Sequence, residues 1–135
     1  SKQAKNWIEV GASGPWADEN LAADFSNYSA SHVDLMAPGV SIYSTYTNST
    51  YDWMDGTSFS GPVVSGVAAM IRSYFPKLKA KEVKKILLES VYKPEQKVIK
   101  PGTEDERVPL SALCVTGGIL DARAAMELAR ARTRK

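Results

Sequence analysis

The segment Asp55–Gly66 reads DGTSFSGPVVSG and holds the residues best suited to covalent chemistry. Ser58 stands in a tight Gly-Thr-Ser turn at the mouth of an apolar stretch with helical character. A helix N-terminus presents unpaired backbone N–H groups that can stabilise a developing oxyanion. Its dipole favours negative charge at the same place. Gly56 lets the chain turn sharply, and Gly61 leaves space beside the serine. The local pattern supports two readings, a nucleophilic serine or an ordinary Ser/Thr helix cap.

The flanking elements must position that turn. Ile8–Ala12 is expected as a short strand, Val33–Ala37 as a buried strand closed by Pro38-Gly39, and Val40–Thr47 as a third. Asn48–Thr50 reads as a turn and Tyr51–Met54 as a short strand, while residues 16–24 read as a surface loop. Phe59–Phe75 is apolar on nearly all sides and should be a buried helix. Pro62 is tolerated only near a first turn, so the helix should begin just before it. The small residues Ser60, Gly61, Ser65 and Gly66 make sense if another backbone passes close by. Lys79–Val91 predicts an amphipathic helix with Val83, Ile86, Leu87 and Val91 inward and Lys81, Lys84, Lys85 and Glu89 in water. A long loop over residues 93–110 follows, in which Val98-Ile99 can pair with Val108 or Leu110. Asp121 is the expected N-cap of a last helix, Ala122–Ala131, with Ala124, Ala125 and Leu128 inward.

The chain has 135 residues, enough for one domain, and its 44% apolar content is that of a soluble globular chain. Seventeen Lys and Arg against fifteen Asp and Glu leave a net charge of +2. Four of the basic groups lie in the terminal RARTRK, expected as a solvated, frayed end. This balance excludes a strongly basic nucleic-acid domain. The apolar run Val63–Ile71 is about half the length of a membrane span, so no membrane role is expected, and no signal peptide is visible. Cys114 is the single cysteine, expected as a small buried hydrophobe rather than a nucleophile or ligand.

A longer pattern joins these pieces. The run Gly56-Thr57-Ser58-Phe59-Ser60-Gly61-Pro62 resembles the nucleophile motif of the subtilisin-like serine peptidases: Gly-Thr-Ser, any residue, Ser or Ala, any residue, Pro, then a small-residue helix. Val63 stands where the family often has histidine. Val10-Gly11-Ala12-Ser13, Phe25-Ser26-Asn27-Tyr28, Asp34-Leu35-Met36-Ala37-Pro38-Gly39-Val40 and Gly118-Ile119-Leu120-Asp121-Ala122 are similar to further family segments in the family's order. The resemblance spans roughly residues 5–130. It implies an α/β fold: the C-terminal part of a three-layer subtilisin-like domain, with a mostly parallel sheet and a buried helix after the nucleophile. Residues 1–135 would then be one partial catalytic domain, and Ser58 its nucleophile.

The resemblance also implies what this segment lacks. The family's triad runs Asp, His, Ser along the chain, and the residues before Ser58 match the segment just ahead of the family's serine. The triad Asp and His and the oxyanion-hole asparagine are therefore expected upstream of residue 1. His32 is expected as an exposed loop residue rather than a base. Asp34, Asp52 and Asp55 are expected as turn and strand-end residues first, catalytic or calcium-binding candidates second. The implied parent is a secreted or cell-envelope endopeptidase acting on protein or peptide substrates. Calcium is possible in the whole protein by resemblance, although no carboxylate cluster at calcium-loop spacing is visible here. A half-domain should leave apolar surface exposed and so self-associate. The rival is a pseudoprotease of the same fold serving as a binding domain. An α/β-hydrolase is disfavoured because Ser58 lacks a Gly-x-Ser-x-Gly elbow.

Overall fold

The computed structural model describes residues 5–134. Two short parallel strands form its centre, β1 (Val10–Ser13) and β2 (Leu35–Pro38), in the register Val10↔Leu35 to Ser13↔Pro38. Parallel strands covered on both faces are apolar throughout, and Ala12, Leu35, Met36 and Ala37 are fully buried. Side chains alternate across the sheet. Leu35 and Ala37 enter one core with the helices, whereas Met36 enters a second core built from Leu21, Val33, Val98, Leu110, Leu113 and Cys114. Ile119 extends the sheet beside Met36 through a parallel bridge.

A ribbon follows, β3 (Ile42–Tyr46) paired antiparallel with β4 (Thr50–Met54), joined by a tight turn at Thr47–Ser49 in which Asn48 and Ser49 take left-handed φ values of 57° and 58°. Tyr43 stacks on Tyr51 with ring centroids 5.7 Å apart and meets Trp53 at 5.0 Å with the rings tilted by 45°. Such cross-strand aromatic pairs are what a two-stranded ribbon needs to persist in water.

The ribbon leads into α1 (Thr57–Tyr74), which packs on β1 and β2 through Val64, Val67 and Ile71. This helix corrects two expectations. It begins five residues before Pro62 rather than just before it. Pro62 and Ser58 both face solvent, so water can bond the Ser58 carbonyl that the missing proline N–H leaves open. Nor is the helix buried all round: Pro62, Ser65, Gly66, Ala69 and Met70 form an open face. A Cβ built on Gly61 or Gly66 would meet nothing within 4 Å, so no backbone among the described residues uses the space they leave.

Helix α2 (Ala80–Glu89) buries Val83, Ile86 and Leu87 as its stripe predicts, and the Glu82 carboxylate accepts the Lys79 N–H at 2.8 Å. Lys84 departs from the sequence expectation. Its ammonium turns inward to Asp34 Oδ2, 3.3 Å away, and to the Trp7 carbonyl. The 93–110 loop is ordered by β5 (Val98–Ile99) and β6 (Arg107–Val108), with Val98 opposite Val108. Helix α3 (Ala122–Thr133) is capped by Asp121, whose Oδ1 accepts the Ala124 N–H at 2.8 Å. It buries Ala125 and Ala129, with Ala124 and Leu128 half-buried. The basic tail is helical through Thr133 rather than frayed, and Arg132 pairs with Glu89 of α2; Lys135 lies outside the described residues. All three helices contribute to one core, while loops cover the other face of β1–β2. Cys114 is free and fully buried. Among the described residues no helix is long and apolar enough to cross a membrane.

Candidate active site

Ser58 is the second residue of α1 and its side chain is exposed. No acidic residue occupies the first turn of this 18-residue helix, and Asp55 stands just before its N-cap, Gly56. The turn before it depends on Gly56, whose φ of 151° lies in a region that side chains rarely adopt. The Gly56 N–H donates to the Gly39 carbonyl at 2.8 Å, and the Gly39 N–H donates to the Ser13 carbonyl at 3.0 Å. The serine turn is thereby tied to the carboxyl ends of both parallel strands. Gly39 must be glycine for this approach. A Cβ there would lie 2.9 Å from the Gly56 carbonyl, 2.8 Å from the Ala12 Cβ and closer still to Ser60 Oγ.

Asp55 adds a second tie that sequence reading did not assign. Its Oδ1 accepts the Ser41 N–H at 2.6 Å across the base of the β3–β4 ribbon. Ser41 has φ 54°, an unfavourable value for a serine, and that conformation is not legible in its sequence neighbours. The Ser60 hydroxyl is fully buried and makes no hydrogen bond.

The other candidates sit elsewhere. His32 is exposed on the loop before β2, with Nδ1 2.9 Å from Ser31 Oγ and 3.2 Å from Ser29 Oγ. The four-residue strand β2 (Leu35–Pro38) alone spans about 13 Å. His32 precedes it, and the serine turn is fastened beyond its far end. Asp34 is buried at the entry to β2, where Oδ2 accepts the Glu9 N–H at 2.9 Å in addition to the Lys84 ammonium. Asp52 lies on the exposed ribbon, its Oδ1 accepting the Trp53 N–H at 2.8 Å. Among the described residues no three His, Cys, Asp or Glu side chains come together to hold a metal ion.

The Subtilase family (peptidase S8) is matched over residues 1–112, the span that contains the serine turn and both parallel strands. The chain belongs to the subtilase family. Among the similar subtilases, Subtilisin DY of Bacillus licheniformis is 48% identical over 78 residues, which are 57% of this chain and 27% of that protein. M-protease of Shouchella clausii (strain KSM-K16) is 44% identical over 71 residues, 53% of this chain and 18% of that protein. Among solved subtilase-like structures, the A-subunit of the AB5 toxin from E. coli superposes with a TM-score of 0.71 at 26% identity, covering 90% of this chain and 37% of that one. The prenylagaramide maturation protease PagA gives 0.69 at 29% identity, covering 90% and 42%. The α/β subtilase fold is thus shared, in a small version of its sheet. The chain spans about a quarter of the length of Subtilisin DY.

Proposed function

We propose that this chain carries the nucleophile of a serine endopeptidase. Ser58 Oγ attacks a peptide carbonyl, its proton passes by way of a general base to the departing amine as the C–N bond breaks, and the acyl group remains on Ser58 until water releases it as a carboxylic acid. The observation that supports this reading is the exposed Ser58 at the N-terminus of α1, fastened by Gly56 and Gly39 to the strand ends. The Ser58 N–H supplies one oxyanion donor.

The hydroxyl proton needs an acceptor, and a serine without one is a poor nucleophile at neutral pH. His32, the only histidine, precedes β2, whereas the serine turn is fastened beyond the far end of that strand. The general base, its carboxylate partner and the second oxyanion donor are therefore assigned to polypeptide other than residues 1–135. By itself the chain is inactive. The assembled enzyme is secreted or in the cell envelope and cleaves proteins or peptides.

The test has two arms. A longer polypeptide carrying this segment is assayed for peptidase activity beside its Ser58→Ala variant, with an expected loss of at least about a thousandfold. Equal activity removes Ser58 from the mechanism. The 135-residue chain is incubated with a fluorophosphonate and weighed intact. An adduct absent from Ser58→Ala would show that an activated serine assembles without further polypeptide.

A further inference from the structure

The charges of this chain are divided along it. Between Lys5 and Arg72 there is no Lys or Arg, whereas that span holds seven carboxylates: Glu9, Asp18, Glu19, Asp24, Asp34, Asp52 and Asp55. The same span forms β1, β2, the ribbon and the serine turn. Two of the seven are neutralised by cations from the second half, Asp34 by Lys84 and Glu19 by Arg107. Among the described residues Asp18 and Asp24 form no ion pair.

Those two carboxylates border a cleft of about 460 Å³ at the carboxyl ends of β1 and β2. Its walls are Pro15, Trp16, Phe25 and Val40, and no basic residue lines it. Trp16 is 73% exposed and Phe25 48%, so both rings present surface to the cleft and to solvent. The crevice beyond the carboxyl ends of parallel strands is where open α/β sheets bind ligands. The cleft is joined by hydrogen bonds to the seam that holds the nucleophile. Gly14 and Ser41 line it, Ser41 is bonded to Asp55, and Gly39, beside Val40, is bonded to Gly56. On the adjoining loop Lys100 is paired with Glu106 and Arg107 with Glu19, while Lys97 borders a separate cavity on the other side of Asp18.

We propose that this cleft receives an arginine side chain of the polypeptide substrate. The inference rests on the reading of Ser58 as the nucleophile of a peptidase, since it names the chain that the site admits. A guanidinium can lie against the faces of Trp16 and Phe25 while its N–H groups reach the two carboxylates. The surplus of negative charge around the serine turn also draws basic segments toward the site.

The experiment reads binding, so it does not depend on catalysis. The Trp16 indole N–H of the full 135-residue chain is followed by NMR during titration with a blocked hexapeptide bearing one arginine. The control is the same peptide with uncharged citrulline at that position, and both titrations are repeated on Ser58→Ala. The expected result is a saturable shift at Trp16, weakened at least about fivefold by citrulline and by Asp18→Asn/Asp24→Asn. Asparagine retains Oδ1, which accepts the Asn20 N–H at Asp18 and the Gly102 N–H at Asp24, so the double variant keeps its loop contacts. Retained binding by Ser58→Ala together with loss in the double variant supports the cleft, even if the peptidase reading fails. Equal binding of the citrulline peptide, unchanged binding in the double variant, shifts that map away from Trp16 or no saturable shift overturns it.

Discussion

At the scale of single residues, two positions around the serine turn behave oppositely. Ser60 buries a hydroxyl with no partner, so desolvation of that group is not repaid. Ser60→Ala is expected to leave stability unchanged or raise it by up to about 1 kcal/mol, read as a shift in the urea midpoint. Gly39 has no such freedom. Gly39→Ala forces a methyl group against Ala12, Ser60 and the Gly56 carbonyl and is expected to cost about 1–3 kcal/mol by the same measurement. The displaced Gly56 carries the serine turn with it, so activity in an assembled enzyme falls further than stability alone explains.

At the scale of elements, the Asp34–Lys84 pair joins three pieces of chain that share no local sequence. Asp34 Oδ2 holds the Glu9 N–H and the Lys84 ammonium, and Lys84 holds the Trp7 carbonyl. The two side chains are 7% and 16% exposed, so the pair is largely desolvated. Lys84→Met leaves a buried carboxylate with one backbone donor and is expected to destabilise by about 3 kcal/mol in denaturant unfolding. Lys84→Met with Asp34→Asn should recover most of that loss, because no uncompensated charge remains; a double variant no better than the single would refute this account. Elsewhere ion pairs are peripheral. The Glu106 carboxylate, hydrogen-bonded at 2.9 Å, raises the Lys100 pKa above its ordinary value. That contact is intact at neutral pH and is lost only as alkaline pH rises through the raised value.

At the scale of the whole molecule, the open face of α1 is the dominant feature. A groove of about 630 Å³ runs between that helix and the approach to β1, lined by Trp7, Ile8, Val10, Pro62, Val64 and Ala68. Trp7 is 60% exposed at its rim. Contiguous apolar surface of this kind drives association. Sedimentation velocity is expected to show concentration-dependent self-association, reduced by Ala69→Lys/Met70→Lys on the exposed face. A chain that stays monomeric to high concentration would show that the groove is tolerated in water.

Composition and pattern were sufficient for the α/β class, the order of elements, the stripe of α2, the Asp121 cap and the Val98–Val108 pairing, because each follows from local periodicity or a side chain bonding its own neighbourhood. The serine turn was legible for the same reason: its glycines and its place before a helix are local facts. The inward turn of Lys84, the tie from Asp55 to Ser41, the buried orphan hydroxyl of Ser60 and the bare face of α1 were not legible. Periodicity reports which residues are apolar, but a face is buried only if another part of the chain arrives to cover it. A lysine on the polar side of a helix reads as solvated until a carboxylate fifty residues earlier is packed against it. Such pairings are non-local and are decided only when the tertiary structure brings the strand ends, the ribbon base and the helices together.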